Sequence, residues 1–174
     1  MTTVVRVIVA IVAIVGAGKL GAQTGPPSPP LTNELRVDAR FSRHNVAEAG
    51  WSLIIPSGVY VRSALTAAGG YAWREKRWTR ESRYEATSRF LLDPFRESRV
   101  GLSIGGGVGF TNSDGLLSAP KAAGERSVRW RPYLAAILDL ELRKTAGLTP
   151  AVQVGIGGGF RAGLLIRSST RRWR

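Results

Sequence analysis

Apolar side chains recur at every second position along most of this chain, and that alternation constrains its fold more than any other feature. In residues 151–167, Val152, Val154 and Ile156 alternate with glycine, glutamine and arginine. A period of two residues places side chains on opposite faces of a β-strand, so this segment predicts one long strand with an apolar and a polar face. No stretch beyond residue 35 has the period of a helix, which predicts an all-β fold.

Six further segments alternate in the same way and predict six more strands, at residues 35–44, 47–56, 59–74, 83–93, 99–112 and 129–143. The connections between the predicted strands differ in length. Those around residues 55–58, 93–97 and 144–149 are short, whereas the charged EKRWTRES stretch (75–82) and the segment 113–127 are longer. This order predicts an antiparallel meander with short turns at one end and longer loops at the other.

The first residues have the pattern of an export signal. Arg6 is followed by eleven apolar or small residues (7–17), fewer than the about 20 of a membrane-spanning helix but suited to a signal helix. The small residues Gly21 and Ala22 predict cleavage after Ala22. The sequence therefore divides into a signal peptide (1–22), a proline-rich linker (23–34) and a β-barrel domain (35–174).

The composition removes several classes of function. The 174 residues include no Cys and one His, which excludes a disulfide scaffold, a cysteine-ligated metal and a multi-histidine metal centre. We expect no metal and no cofactor. The net charge of +13 suits nucleic acid, but cleavage after Ala22 removes two basic residues and leaves +11, and an exported chain meets little nucleic acid. Nucleic acid is therefore not an expected partner.

The polar faces of the predicted strands combine arginine, acidic residues and many glycines. The strands are longer than the usual about five or six residues, and glycine weakens a strand unless another group approaches closely. A soluble β-sandwich explains neither feature. Polar faces turned into a narrow lumen explain both, because charges pair there and glycines leave room for guanidinium groups. The predicted lumen network comprises Arg83, Glu85, Arg89, Asp93, Arg131, Asp139, Glu141 and Arg161.

Two stretches carry a resemblance to a known class of protein: SRFLLDPFRESRVGLSIGGGVGF (residues 88–110) and PAVQVGIGGGFRAGLLIR (residues 150–167). They are similar to small outer-membrane β-barrel proteins of Gram-negative bacteria, of the OmpA/OmpX-like type. The resemblance implies an eight-stranded up-and-down barrel in the outer membrane. It also implies a monomer that the outer-membrane assembly machinery inserts, and no catalytic residues.

The chain departs from that class in two respects. Seven segments alternate clearly, whereas small bacterial barrels have an even number of strands. The eighth strand lies either near residues 112–126 or within the last segment, if the three glycines 157–159 divide it. The terminal aromatic residue of such chains is also missing, because Arg174 follows Trp173.

Three hypotheses about function remain open. The first is a non-enzymatic barrel with a structural or surface-interaction role, surrounded by outer-membrane lipid and lipopolysaccharide. The second is a barrel enzyme that modifies lipid A or phospholipid, with His44 as general base and Ser42 and Glu48 nearby. The third is a soluble periplasmic, lipocalin-like protein that binds an apolar ligand.

The GLSIG sequence around Ser103 matches the nucleophile pattern of serine hydrolases. That pattern requires a sharp turn from a strand into a helix, whereas Ser103 lies within an alternating segment. We therefore predict that Ser103 is a small residue facing the lumen.

Basic residues cluster around Trp78 in a predicted loop that contains Arg74, Lys76, Arg77 and Arg80. On an outer surface these residues would bind the phosphates of lipopolysaccharide. A solvated charged loop without a specific ligand is the other interpretation, and the sequence leaves both open.

Overall fold

The computed structural model describes residues 31–74, 77–93, 100–114, 128–142 and 147–169, and no helix is present in these ranges. They form eight β-strands: β1 (Thr32–Phe41), β2 (Asn45–Pro56), β3 (Val61–Arg74), β4 (Arg77–Leu91), β5 (Val100–Asp114), β6 (Val128–Leu142), β7 (Leu148–Ile156) and β8 (Phe160–Ser169). A tilted strand needs about nine to eleven residues to cross the apolar core of a bilayer. The strands have between nine and fifteen, so each is long enough.

Each strand pairs antiparallel with the next, and β1 pairs with β8, so the sheet closes into a barrel. The predicted eight-stranded meander barrel is confirmed. Following paired residues around the barrel from Asp38 leads to Asp139 in one direction and to Arg129 in the other, a stagger of ten residues. The stagger tilts the strands against the barrel axis, and closure leaves no unpaired sheet edge.

Residues 151–167 form a hairpin, so the prediction of one long strand there is wrong. β7 ends at Ile156, β8 begins at Phe160, and these two residues pair across the turn. Because three residues separate them, positions of the same parity face the same side before and after the turn, and the alternation continues unbroken. The glycines 157–159 have φ angles of 150°, 66° and 132°, which residues with side chains rarely adopt. Of the two positions considered for the eighth strand, the division at these glycines is confirmed.

The prediction of short turns at one end and longer loops at the other holds only in part, because the second end has one long connection and three short ones. One end, the turn end, carries the connections 57–60, 92–99 and 143–147, the start of β1 and the end of β8. The opposite end, the mouth end, carries 42–44, 75–76, 115–127 and 157–159, of which only 115–127 is long. The EKRWTRES stretch is mostly strand, because β4 begins at Arg77 and Arg74 of β3 pairs with Arg77.

The two faces of the sheet divide by polarity as the alternation predicts. The outward face is apolar: Leu134, Leu164 and Val37 are 79%, 68% and 63% exposed. The inward face carries mostly buried charged, polar or small residues, with Arg83 and Asp139 at 1% and 0% exposure, and a few larger apolar side chains such as Ile54 and Leu165. This distribution is the reverse of that in water-soluble proteins, whose interiors are predominantly apolar.

The beginning of the barrel differs slightly from the predicted domain boundary. β1 starts at Thr32, inside the segment predicted as linker. The predicted signal peptide (1–22) and residues 23–30 of the linker lie outside the described residues, as does the C-terminal segment 170–174. Among the described residues, no helix is long and apolar enough to cross a membrane.

Candidate functional site: the charged lumen and the mouth

Ion pairs fill the interior of the barrel. In the described strands they join seven arginines to seven carboxylates, so the paired charges balance. Buried charges are tolerated when they are paired in this way. We name this set the lumen network, and its members are Arg36, Arg40, Arg62, Arg83, Arg89, Arg161, Arg167, Glu34, Asp38, Glu48, Glu81, Glu85, Asp139 and Glu141.

Arg83 of β4 connects three strands near the middle of the lumen. Its Nε donates to Glu48 of β2 at 2.6 Å, and its Nη2 donates to Asp38 of β1 at 2.6 Å. Its Nη1 donates to Glu85, two residues along β4, at 3.1 Å. A guanidinium group offers five N–H donors in a fixed plane, which lets one arginine serve three carboxylates.

A second set of pairs lies nearer the turn end. Arg89 of β4 donates from Nη1 to Glu34 of β1 and to Asp139 of β6, both at 3.0 Å. Arg167 of β8 donates to the same Glu34 at 2.7 Å, and it also donates to Asp139 and Glu141. The Arg167–Glu34 pair joins the neighbouring strands β8 and β1, whereas the other contacts join strands that are not neighbours in the sheet and brace the barrel across its interior.

Glu85 is the acceptor in the third set of contacts. Arg161 of β8 approaches it with two nitrogens, at 2.7 and 3.1 Å, in the bidentate geometry that strengthens a guanidinium–carboxylate pair. Tyr133 of β6 donates its phenolic O–H to Glu85 at 2.8 Å. Through Arg83 and Arg161, Glu85 joins the two sides of the lumen.

Glycines on the inward face give these side chains their space. The inward face of β5 carries no charged residue; Gly109, on that face, pairs with Tyr133 of β6. A Cβ atom on Gly109 would collide with the Tyr133 ring, approaching Cε1 to 2.9 Å. Gly163 of β8 stands in the same relation to Asp38, because a Cβ there would lie 3.1 Å from Cγ of that carboxylate. The glycine pattern in the sequence thus reflects the volume that the network needs.

We expect Gly109→Ala to lower the free energy of unfolding by about 1–3 kcal/mol, the usual effect of overpacking, because the new methyl group displaces Tyr133 from Glu85. The matched control is Gly101→Ala, also inward on β5, where a Cβ would meet nothing closer than 3.5 Å. Urea unfolding of the protein folded in lipid vesicles measures both changes. Equal stabilities for the two variants would show that Gly109 does not accommodate the tyrosine.

The structure places six of the eight residues of the predicted network in the lumen network: Arg83, Glu85, Arg89, Asp139, Glu141 and Arg161. Arg131 is exposed at the mouth end instead. It lies in the part of β6 that continues beyond β7, whose last residue, Ile156, pairs with Ala136. Asp93 is half-buried beyond the end of β4, at the turn end.

The sequence analysis did not single out the remaining members of the network. Glu34 was missed because it falls within the predicted linker, although it lies one position before the first alternating segment. The others occupy inward positions of predicted strands, so the same alternation, applied to every strand, would have found them. They are Arg36, Arg40, Arg62, Arg167, Asp38, Glu48 and Glu81.

A cavity of about 390 Å³ lies at the mouth end, and we name it the mouth cavity. Its wall includes Arg40, Arg43, His44, Arg131 and Tyr133, from β1, β6 and the connection 42–44. Arg40 belongs to the lumen network, where it pairs with Glu48 at 3.0 Å and with Glu81. The network therefore forms the floor of the cavity.

The residues considered for catalysis do not form a relay among the described residues. Ser42 Oγ donates to the carbonyl oxygen of His44 at 3.1 Å and accepts from the His44 backbone N–H at 3.4 Å. Glu48 is buried and accepts from Arg40 and Arg83. Within the same part of the chain, no group of His, Asp and Glu is placed to hold a metal ion.

Ser103 is buried in β5, which continues on both sides of it without turning into a helix. The prediction of a small residue facing the lumen is confirmed.

Arg74, Arg77 and Arg80 lie on strands at the mouth end, so the prediction of a loop is wrong for these three of the four basic residues around Trp78. Arg74 ends β3, and Arg77 and Arg80 belong to β4. Arg80 is exposed, and Lys76 lies outside the described residues. The hairpin is taller than expected because the two strands pair as far as Arg74 and Arg77.

Aromatic residues meet near both ends of the apolar exterior. Tyr60 and Phe90 stack with ring centroids 5.8 Å apart near the turn end. Trp73 and Trp78 meet edge to face at 4.7 Å near the mouth end. Aromatic side chains at the two ends of an apolar band are typical of barrels that span membranes.

An eight-stranded antiparallel barrel with an apolar exterior, aromatic residues near its ends and a charged interior defines the class of small outer-membrane barrels. The chain has the fold of this class.

Solved structures share the fold. The N-terminal β-barrel domain of OprF from Pseudomonas aeruginosa is 11% identical, covers 82% of this chain and 98% of that domain, and aligns with a TM-score of 0.63. Neisserial surface protein A (NspA) is 11% identical, covers 84% of this chain and 99% of that protein, and aligns with a TM-score of 0.58. No protein-family model and no curated protein matches the sequence.

Proposed function

We propose that this protein is an outer-membrane β-barrel of a Gram-negative bacterium with a structural or surface-interaction role, and that it is neither an enzyme nor an open channel. One observation carries the proposal: the barrel is apolar outside and charged inside. Lipid acyl chains cover the apolar exterior, and closure of the barrel leaves no strand edge with unpaired backbone groups. Ion pairs neutralise the charges that are buried in the interior.

The exterior supports a membrane location because, outside a membrane, a large apolar surface would be exposed to water. Apolar residues face outward on the described strands, among them Leu35, Tyr71, Ile104, Leu138 and Ile156. A monomeric soluble protein rarely exposes an apolar patch larger than a few hundred Å². A band of this kind around a barrel matches the acyl chains of a bilayer.

The other two hypotheses gain no support from the interior. A lipocalin-like binder needs an apolar cavity, whereas the described lumen holds paired charges. A lipid-modifying enzyme needs a base next to a nucleophile. In the described part of the chain, the Ser42 hydroxyl forms hydrogen bonds only with the backbone of His44, and Glu48 is held by arginines.

The positions of the start of β1 and the end of β8 favour one orientation of the barrel in the membrane. Both ends of the barrel lie at the turn end, so a chain arriving from the periplasm can insert its hairpins without moving either terminus across the membrane. The mouth end then faces outward. We propose that the assembly machinery inserts a monomer in this way. Lipopolysaccharide phosphates then contact the basic strand ends at the mouth, formed by Arg74, Arg77 and Arg80, and Lys76, which lies between them in the sequence.

We expect the protein to be recovered with outer membranes and to need detergent for extraction. In gel electrophoresis the unheated protein should migrate separately from the boiled protein, because a closed barrel with internal ion pairs resists unfolding by detergent at room temperature. Recovery without detergent in the soluble fraction, with one mobility before and after heating, would contradict the proposal.

A further inference from the structure

We infer that the mouth cavity binds a phosphorylated sugar. The cavity opens above the lumen network, apart from the lipid-facing exterior and from the basic strand ends around Trp78. The inference goes beyond the proposed function because it assigns a class of ligand to one site, and it holds in a detergent micelle as well as in a membrane.

Uncompensated positive charge is the first reason. Arg43 and Arg131 line the cavity and are exposed. Within the described part of the chain, neither has a carboxylate partner, whereas each of the seven arginines of the lumen network has one. A guanidinium group binds phosphate through two parallel N–H donors. His44 lies on the same wall and adds a further nitrogen donor.

Arg40, the third arginine of the cavity wall, is held by neighbouring groups, so we assign phosphate recognition to Arg43 and Arg131. Its Nε donates to Glu48 at 3.0 Å, its Nη1 donates to the carbonyl oxygen of Gly158 at 3.0 Å, and its Nη2 donates to Glu81. Each of the three nitrogens of Arg40 is therefore engaged in the floor of the cavity, and Glu81, a carboxylate that also lines the cavity, is paired with it. Because ion pairs close the floor, the cavity does not lead into a pore.

The size and remaining wall of the cavity indicate a sugar attached to the phosphate. Ligand sites commonly measure about 300–1,000 Å³, and this cavity of about 390 Å³ leaves room beyond a single phosphate. The hydroxyl of Thr111 offers a hydrogen bond to a sugar hydroxyl. Val46, Pro132 and the ring of Tyr133 supply apolar surface for the C–H face of a sugar ring.

Calorimetric titration of the full-length protein in neutral-detergent micelles tests this site. We expect glucose 6-phosphate to bind at least about tenfold more tightly than glucose or inorganic phosphate, because only it fills both parts of the cavity. The double variant Arg43→Gln/Arg131→Gln should weaken that binding at least about tenfold. The matched control, Arg99→Gln/Arg143→Gln, removes two positive charges next in the chain to Val100 and Leu142, the ends of β5 and β6 farthest from the cavity, and should bind as the parent does. Gel mobility before and after heating verifies that both variants are folded.

Four results would overturn the inference. They are absence of glucose 6-phosphate binding, equal binding of glucose, equal binding of inorganic phosphate, and an equal loss in the control variant, which would indicate attraction by net charge alone.

Competition identifies the source of the sugar phosphate, since a lipid headgroup and a soluble metabolite share this chemistry. If lipopolysaccharide in the micelle suppresses glucose 6-phosphate binding and its dephosphorylated form does not, the site takes the headgroup of a neighbouring lipid. If neither form competes, the site takes a soluble sugar phosphate. Both results support the cavity as the binding site.

Discussion

Replacing Arg83 with methionine should lower the free energy of unfolding by about 3–5 kcal/mol, the usual cost of breaking a buried ion pair. Arg83 is 1% exposed and is the donor to Asp38, Glu48 and Glu85. Methionine fills a similar volume but leaves these carboxylates with fewer positive partners in a closed interior. Urea unfolding in phospholipid vesicles measures the change.

Arg80→Met is the matched control for this variant. Arg80 lies three positions earlier on β4 but faces outward and is exposed, so its replacement removes the same charge without touching the lumen. We expect the control to change stability by less than about 0.5 kcal/mol, as surface substitutions usually do. A loss in Arg83→Met no greater than in the control would show that the lumen network does not stabilise the barrel.

Leu164→Arg should destabilise the protein in vesicles by about 2–4 kcal/mol, the effect of an arginine on the lipid face at the middle of a bilayer. Leu164 lies near the centre of β8, is 68% exposed, and pairs with Val37 of β1 and Val152 of β7, which also face outward. The three side chains form part of the apolar band, so a charge placed there has only acyl chains around it.

Ser168→Arg provides the matched control on the same strand and the same face. Ser168 lies four residues closer to the turn end, about 13 Å along the strand, where we expect the apolar band to give way to water and headgroups. An arginine there should cost about 0–1 kcal/mol. If both substitutions were tolerated equally, the outer face of β8 would be in contact with water, and the membrane assignment would fail.

The alternation in the sequence was sufficient to predict the fold class and the face on which each residue lies. It predicted that Arg83 and Ser103 point inward and that Val152 and Ile156 point outward, because a period of two residues is a local property. The alternation did not show where strands end. It continues unbroken through the hairpin turn at 157–159, so the turn was not recognised. Arg74 and Arg77, at the ends of β3 and β4, are polar, and their sequence therefore resembled a loop.

The partners within the lumen could not be predicted from the sequence, because they depend on the register of the whole barrel. A stagger of ten residues brings Arg83 of β4 next to Asp38 of β1 and Arg161 of β8 next to Glu85. The same register carries Arg131 past the end of β7 to the mouth. The alternation shows on which face of the sheet a residue lies but not its height along the barrel axis. The height is needed to predict which charges pair and that Arg131 lies at the mouth.

Labelling of single cysteines in intact cells tests the central claim, that the chain spans the outer membrane as a barrel, most directly. The sequence has no cysteine, so Ser42→Cys at the mouth end and Ser57→Cys at the turn end each introduce one exposed thiol. We predict that a membrane-impermeant maleimide labels Ser42→Cys in intact cells and labels Ser57→Cys only after the outer membrane is permeabilised. Equal labelling of the two variants in intact cells, or labelling of neither before permeabilisation, would contradict a barrel whose ends lie on opposite sides of the membrane.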